Sequence, residues 1–285
     1  MRLPVRAMKR FFVGACLLAA LSAARADEVN DRLLALFPKF DADRDQALSA
    51  GEQAQAVTFV RQKYGGVWAR RVEGMFRDAA GAGGAVPRAK WQQAAADYGQ
   101  VRRQTFRVEM RDGVRLATDV YLPAGSGPFP VVLSRTPYNR EGHGGAAKTF
   151  AQDGTAFVVQ DMRGRFASEG ENLPFVGCGW DKHQDGVDTL EWLRKQPWCN
   201  GRIGTLGGSA GGITQNLLAG ATTNGPTAQY IVVAAASLYH DGSYIGGAFR
   251  KADMENWTTQ NKFDTNALWL MRTHPCYDDY WRALD

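Results

Sequence analysis

Two short stretches of this 285-residue chain carry residue types at spacings that could do chemistry. In Gly207-Gly208-Ser209-Ala210-Gly211 a serine sits among small residues in a G-x-S-x-G pattern. Such a pattern suits a sharp turn from a strand into a helix, because small neighbours let the backbone fold tightly and let a substrate approach. The amides that open the following helix can donate to a developing oxyanion. The chemistry expected is nucleophilic attack by Ser209 on a carbonyl, with the N–H of Ala210 as one oxyanion donor. The pattern alone is weak in a chain with 32 glycines, and a Gly-rich structural turn is the alternative. Its weight comes from its flanks, an apolar run Ile203–Leu206 before it and a helix-like segment Ile213–Ala219 after it.

The second stretch runs from Asp41 to Glu52. It places carboxylates at loop positions 1, 3, 5 and 12 (Asp41, Asp43, Asp45, Glu52), a carbonyl at 7 (Ala47), an apolar residue at 8 (Leu48) and a hydroxyl at 9 (Ser49). These are the ligand positions of an EF-hand calcium loop, since a hard cation takes six to eight oxygens and a twelve-residue turn aims alternate groups inward at these offsets. Position 6, normally glycine because the backbone there is left-handed, is Gln46, a departure that should cost about 1 kcal/mol and weaken the site. Residues 79–90 fit a degenerate second loop with Gly84 at position 6 and Val86 at position 8. That loop has no carboxylate, and Lys90 stands where the bidentate Glu belongs, so it cannot hold the ion. The alternative for 41–52 is an acidic solvated turn that caps a helix.

Around these stretches, the elements needed to position them can be read from periodicity. Leu33, Leu36, Phe37 and Phe40 fall on one face of a helix that enters the first loop, and Ala56, Phe59, Val60 and Tyr64 make an apolar stripe on the helix that leaves it. From Gln104 the texture becomes strand-like. Thr105–Met110 and Val114–Leu122 alternate about Asp112-Gly113, a hairpin signal. Apolar runs follow at Val131–Leu133, Ala156–Val159, Ile203–Leu206 and Tyr230–Ala236, with helix-like segments at Ala146–Gln152, Gly186–Lys195 and Ile213–Ala219 between them. Strands alternating with crossover helices imply a mostly parallel sheet with an antiparallel start.

Composition bounds the partners and the compartment. With 45% hydrophobic, 22% charged and 11% aromatic residues, the chain can bury a sizeable core and is neither collagen-like, coiled-coil nor disordered. The formal net charge of +5 is matched by the five basic residues of 1–26, Arg2, Arg6, Lys9, Arg10 and Arg25, a stretch without an acid. The remainder is neutral, so no nucleic-acid partner is expected. Residues 1–26 have a basic start, an apolar run Phe11–Ala20 and a small-x-small end Ala24-Arg25-Ala26, the anatomy of a signal peptide cleaved before Asp27. An exported, periplasmic or secreted protein is expected. The apolar run is too short for a stable membrane span, and only Phe11–Ala15 separate Cys16 from the charges, which argues against a lipoprotein. Cys178, Cys199 and Cys276 remain; a Cys178–Cys199 bridge and three buried thiols are both compatible with the sequence.

Several strings taken together carry a family resemblance: DGVRLATDVYLP (112–123), PFPVVLSRTPYNR (128–140), VVQDMRGRFASEGE (158–171), DGVDTLEWLRKQPWCNGRIG (185–204) and the 207–211 turn. From about residue 104 onward the chain resembles the cocaine-esterase, X-Pro dipeptidyl-peptidase and α-amino-acid ester hydrolase family of α/β-hydrolases. The resemblance implies serine acyl transfer on a small-molecule ester or peptide, with Ser209 as nucleophile, the Ala210 N–H and the Tyr138 hydroxyl as oxyanion donors, and no catalytic cofactor. Ala210 departs from the tyrosine that commonly follows the nucleophile in the family, so substrate preference does not carry over. Asp161 and Arg163 are expected to form a buried ion-pair brace. The family's order of serine, acid, histidine leaves only His240 and His274 after Ser209, and His274 lies in a string similar to the family's helical cap.

The expected architecture is α/β: an incomplete α/β-hydrolase sheet with the start of a helical cap, preceded by a small α-helical EF-hand pair. Its parts are a signal peptide (1–26), an EF-hand-like segment (27–100), a partial hydrolase domain (101–239) and the start of the cap (240–285), where the chain stops before the family's acid and base. The expectation is a C-terminally truncated serine hydrolase, impaired as it stands. The alternative is a secreted calcium-binding or interaction module on a non-catalytic hydrolase fragment.

Overall fold

The computed structural model describes residues 29–80 and 83–285. Residues 1–26, where a signal peptide is expected, and residues 81–82 of the expected second loop lie outside the described residues. No helix among the described residues is long and apolar enough to cross a membrane. The chain divides into two compact units.

The first unit takes residues up to Arg102, with Leu122–Gly127 and Lys148–Gly154. Helix α1 (29–40) leads into the loop that begins at Asp41. Strand β1 (Ala47–Leu48), helix α2 (Ala50–Tyr64), helix α3 (Gly66–Ala79), strand β2 (Val86–Pro87) and helix α4 (Arg88–Asp97) follow. The two short strands pair antiparallel, Ala47 with Pro87 and Leu48 with Val86, so the eighth positions of the two loops lie opposite one another. Ser49 caps α2 in a reciprocal capping box with Glu52, which satisfies two of the orphan donors at the helix start. The core is continuous: Leu33, Leu36 and Phe37 from α1, Ala56 and Val60 from α2, Val72 and Phe76 from α3, and Trp91 from α4. Trp91 is fully buried against Phe76, with ring centroids 4.6 Å apart, and its indole N–H donates to the Leu33 carbonyl at 2.9 Å.

The second unit is built on a six-stranded sheet in the order β3-β4-β6-β5-β7-β8. The strands are β3 (Arg102–Glu109), β4 (Arg115–Leu122), β5 (Phe129–Thr136), β6 (Ala156–Asp161), β7 (Cys199–Gly208) and β8 (Ala228–Val232). Strand β4 runs antiparallel to β6, whereas β5 is parallel to both β6 and β7, and β7 to β8. The parallel pairs need crossovers, which α5 (Gly144–Gln152), α6 (Asp185–Arg194) and α7 (Ala210–Ala221) help to supply. Sheet centre and sequence agree: β6 is buried along its whole length, as expected of an unbroken apolar strand covered on both faces. This is the first six strands of an α/β-hydrolase sheet. The hairpin ribbon β9 (Tyr244–Ile245) and β10 (Ala248–Phe249) and the helices α8 (Lys251–Gln260), α9 (Asn266–Thr273) and α10 (Asp279–Arg282) complete the unit.

Two expectations are corrected, and the state of the cysteines is decided. The strand expected over Tyr230–Ala236 ends at Val232, because Val233 has φ +47° and turns the chain out of the sheet. Asp161 and Arg163 do not pair with each other. Asp161 accepts from the Arg140 backbone N–H (2.8 Å) and guanidinium (2.7 Å), while Arg163 reaches Asp185 (2.6 Å) and Asp112 (2.8 Å). Strands β5 and β6 are adjacent, so the loop after β5 brings Arg140 to the end of β6, which the sequence order conceals. The three cysteines are free thiols, with Cys178 buried, Cys199 half-buried and Cys276 exposed. Burial pushes the Cys178 thiol up to about 11, so it is held as an inert apolar group.

Candidate active site

Strand β7 ends at Gly208 and α7 begins at Ala210, which leaves Ser209 alone to make the turn. Its backbone is at φ 53°, ψ −126°, a region in which a non-glycine residue is strained by about 1–3 kcal/mol. The surroundings enforce that geometry. A Cβ on Gly207 would lie 2.5 Å from the Gly211 carbonyl oxygen, so only glycine fits the first position. One on Gly212 would meet Ala234 Cβ at 2.6 Å. The Ser209 N–H donates to the Val232 carbonyl (2.9 Å), and the Ser209 carbonyl accepts from Gly212 and Ile213. Beneath the turn, the buried Gln215 amide donates to the carbonyls of Gly207, Gly211 and Tyr230, and its oxygen accepts from Thr205 at 2.6 Å. The strain at Ser209 is held by this lattice of backbone contacts.

The expected oxyanion hydroxyl, that of Tyr138, lies on the loop after β5. Tyr138 follows the strand end at Thr136, whose hydroxyl accepts the Tyr138 N–H at 3.0 Å. The Tyr138 hydroxyl lies 3.4 Å from Ser209 Oγ. At that separation the two hydroxyls are within hydrogen-bond reach of one another, and either can donate. Ala210 is the first residue of α7, so its N–H has no acceptor within the helix and is free to be the second donor. The structure thus brings Ser209, Ala210 and Tyr138 together.

A further residue joins them that sequence reasoning missed. The indole N–H of Trp257, on α8, donates to the Tyr138 hydroxyl oxygen at 3.2 Å. The Tyr138 hydroxyl thus accepts from Trp257 and keeps its own proton for another partner. Trp257 is itself held by parallel stacking on Phe175 (5.7 Å) and by Phe263 (4.9 Å). No local signal marks it, since it stands 119 residues from Tyr138. Gln215 stands between Thr214 and Asn216 on α7, so the sequence does not single it out.

Ser209 and Ala210 border a cavity of about 480 Å³. Its walls are mostly apolar, including Phe175, Leu238, Met254, Trp257 and Trp281, with Asp241 and Arg250 also on its lining. No histidine is among the lining residues. His274 is engaged elsewhere: its Nδ1 lies 2.6 Å from Asp278 Oδ2, and its ring stacks on Tyr280 at 4.5 Å. The hydrogen bond from His274 holds the Asp278 carboxyl below the usual range. His240 packs against Tyr239 and Tyr277.

Around the other stretch, one carboxylate oxygen each from Asp41, Asp43 and Asp45 lie within 4.8 Å of one another. Ala47 follows in β1. Ser49 and Glu52 are tied to each other at the start of α2, and Glu52 also accepts from the Ala42 N–H at 2.8 Å. These backbone and hydroxyl bonds, led by that from Ala42, hold the Glu52 carboxyl below its ordinary range.

Known proteins place this geometry in a lineage. Residues 112–283 match the X-Pro dipeptidyl-peptidase (S15 family) profile. The chain is 41% identical over 158 residues to the cocaine esterase of Rhodococcus sp. (strain MB1 Bresler), an overlap of 53% of this chain and 27% of that enzyme. Two crystal structures of a CocE/NonD family hydrolase from Staphylococcus aureus share the fold at 23% identity with TM-scores of 0.53 and 0.55, covering 65% of this chain and 38% of theirs. The chain therefore spans about a quarter of the curated esterase it matches. A profile that covers well over half of the residues, together with the hydrolase strand order and a serine on the strand-to-helix turn, makes this chain a member of the X-Pro dipeptidyl-peptidase (S15) family.

Proposed function

We propose that this chain carries the nucleophile and oxyanion half of an exported serine hydrolase that acts on ester or amide acyl bonds of small molecules or peptides. The observation that carries the reading is the strained Ser209 with the Tyr138 hydroxyl 3.4 Å from its Oγ. In the proposed step Ser209 Oγ attacks the acyl carbon and gives up its proton to solvent, and the carbonyl oxygen becomes an oxyanion to which the Ala210 N–H and Tyr138 O–H donate. Collapse of this intermediate breaks the acyl C–O or C–N bond, the leaving alcohol or amine taking up a proton from solvent. The apolar wall of Phe175, Leu238, Met254 and Trp281 suits an apolar acyl or leaving group. No general base is assigned, because no histidine lines the cavity. A serine hydroxyl without a base is a weak nucleophile, so this chain is proposed to be impaired on its own. That same observation favours the second reading, a non-catalytic calcium-binding or interaction module.

A fluorophosphonate probe tests the assignment. Labelling is expected at Ser209, slowly in this chain and faster when it is fused to the C-terminal half of a related hydrolase, and is expected to vanish in Ser209→Ala with the fold intact by circular dichroism. Labelling that persists at another serine overturns the assignment. Export is tested by sequencing the N-terminus of protein recovered outside the cytoplasm, which should begin at Asp27.

A further inference from the structure

We propose that Asp41–Glu52 binds one calcium ion, held by the carboxylates of Asp41, Asp43 and Asp45 and the carbonyl of Ala47, with Glu52 available as a further ligand. Oxygens that share one calcium at 2.3–2.6 Å lie no more than about 5 Å apart, and those of the three aspartates fall within 4.8 Å of one another. The spacing matches the ion. The independent observation is Asp41. It is 8% exposed, and its Oδ1 is buried with no hydrogen-bond partner. A buried carboxylate oxygen without a donor or a cation is costly. Among the described residues no arginine or lysine is ion-paired with Asp41, Asp43 or Asp45. A cation between them would supply the missing partner.

The loop opposite has a different part. Gln46 occupies the left-handed conformation at φ 67°, in the place where glycine is expected. It is clamped there from residues 79–90: the Arg88 N–H donates to its carbonyl at 2.9 Å and the Arg88 guanidinium to its Oε1 at 2.9 Å. Gln53 Nε2 bridges the carbonyls of Leu48 and Gly84, 2.8 Å to each. The second loop, without carboxylates, thus braces the first rather than binding an ion of its own, which fixes the stoichiometry at one. Glu52 would have to give up its bonds from Ala42 and Ser49 to reach the ion, which points to modest affinity.

The test is equilibrium dialysis of the chelator-treated full chain against radioactive calcium, with magnesium as competitor. One ion per chain is expected, with a dissociation constant of about 10⁻⁵–10⁻³ M. Asp43→Asn and Asp45→Asn, both exposed and outside the core, should each weaken binding at least about tenfold without changing the circular dichroism. No saturable binding by the wild-type chain, or binding undiminished in both variants, overturns the proposal. A failure here would leave Ser209 labelling untouched, since the two readings share no residue.

Discussion

At the residue scale, Ser209 was readable because its signal is local: five consecutive positions and their flanks specify a turn that few sequences can make. Gly207 shows why, since any side chain there would collide with the Gly211 backbone. What was not readable is what a distant element delivers. Trp257 reaches Tyr138 from α8, and its role exists only once α8 has packed against Phe175 and Phe263. If Tyr138 serves as the proposed oxyanion donor, Trp257 is a positioning residue, because it touches the tyrosine and not the reacting atoms. Trp257→Phe should keep the stacking and lose the hydrogen bond, a change of about 1 kcal/mol, which is roughly fivefold in rate. Measured as the rate constant of fluorophosphonate acylation, the variant should be slower with its melting midpoint nearly unchanged. Tyr138→Phe should be slower still, and Trp257→Phe on a Tyr138→Phe background should have no further effect. A separate, additive loss in the double variant would show that Trp257 acts through packing alone.

Between elements, the second unit is held by arginines that sequence order does not reveal. Arg163, just after β6, ties the β3–β4 turn to the start of α6 through Asp112 and Asp185. Arg140 joins Asp119 on β4 to Asp161 on β6. Asp161 and Arg163 are both buried, as a brace requires, yet they do not pair with each other, because their partners meet them through strand adjacency and not through the two-residue spacing. The Asp112 knot makes a pH prediction. Its carboxyl is lowered to about 2, chiefly by the hydrogen bonds from Arg163, and His183 Nδ1 faces it at 2.9 Å. A folded-state value below the unfolded one contributes stability that is present above about pH 4 and is lost as pH falls toward 2. After screening by solvent the contribution should be on the order of 1 kcal/mol. Asp112→Asn should therefore lower the melting midpoint at pH 6, and the gap to wild type should narrow between pH 4 and pH 2. A gap independent of pH would assign the loss to packing of the turn instead of to charge. The β8 boundary teaches a similar lesson: the apolar run Tyr230–Ala236 reads as one strand, but part of it lines the cavity, and only the positive φ at Val233 separates the two uses.

At the scale of the whole molecule, the mostly parallel sheet with its antiparallel start was legible because each crossover helix announces a parallel step and the hairpin an antiparallel one. The order of the strands was not, since a strand's neighbours are set by the fold. In this chain β8 is an edge strand. It pairs with β7 on one side, and its Tyr230, Ile231 and Val232 are exposed, Tyr230 at 66%. An open row of backbone donors and acceptors beside apolar side chains invites pairing with another chain. The 285-residue chain should therefore self-associate with rising concentration in sedimentation velocity, and Tyr230→Lys should shift it toward the monomer, because a charge on an edge strand opposes pairing. A wild-type chain that sediments as a monomer at all concentrations would show that this edge is protected by means other than its sequence. The same preparation offers the decisive kinetic measurement. Among the described residues no histidine lines the cavity beside Ser209, so hydrolysis of p-nitrophenyl esters by this chain should stay far below the range of about 1–10³ per second usual for enzymes, and be insensitive to His274→Ala, since His274 is bound to Asp278. Turnover within the enzymatic range that disappears in His274→Ala would make His274 the base, and would require α9 and α10 to rearrange so that its ring turns from Tyr280 toward Ser209.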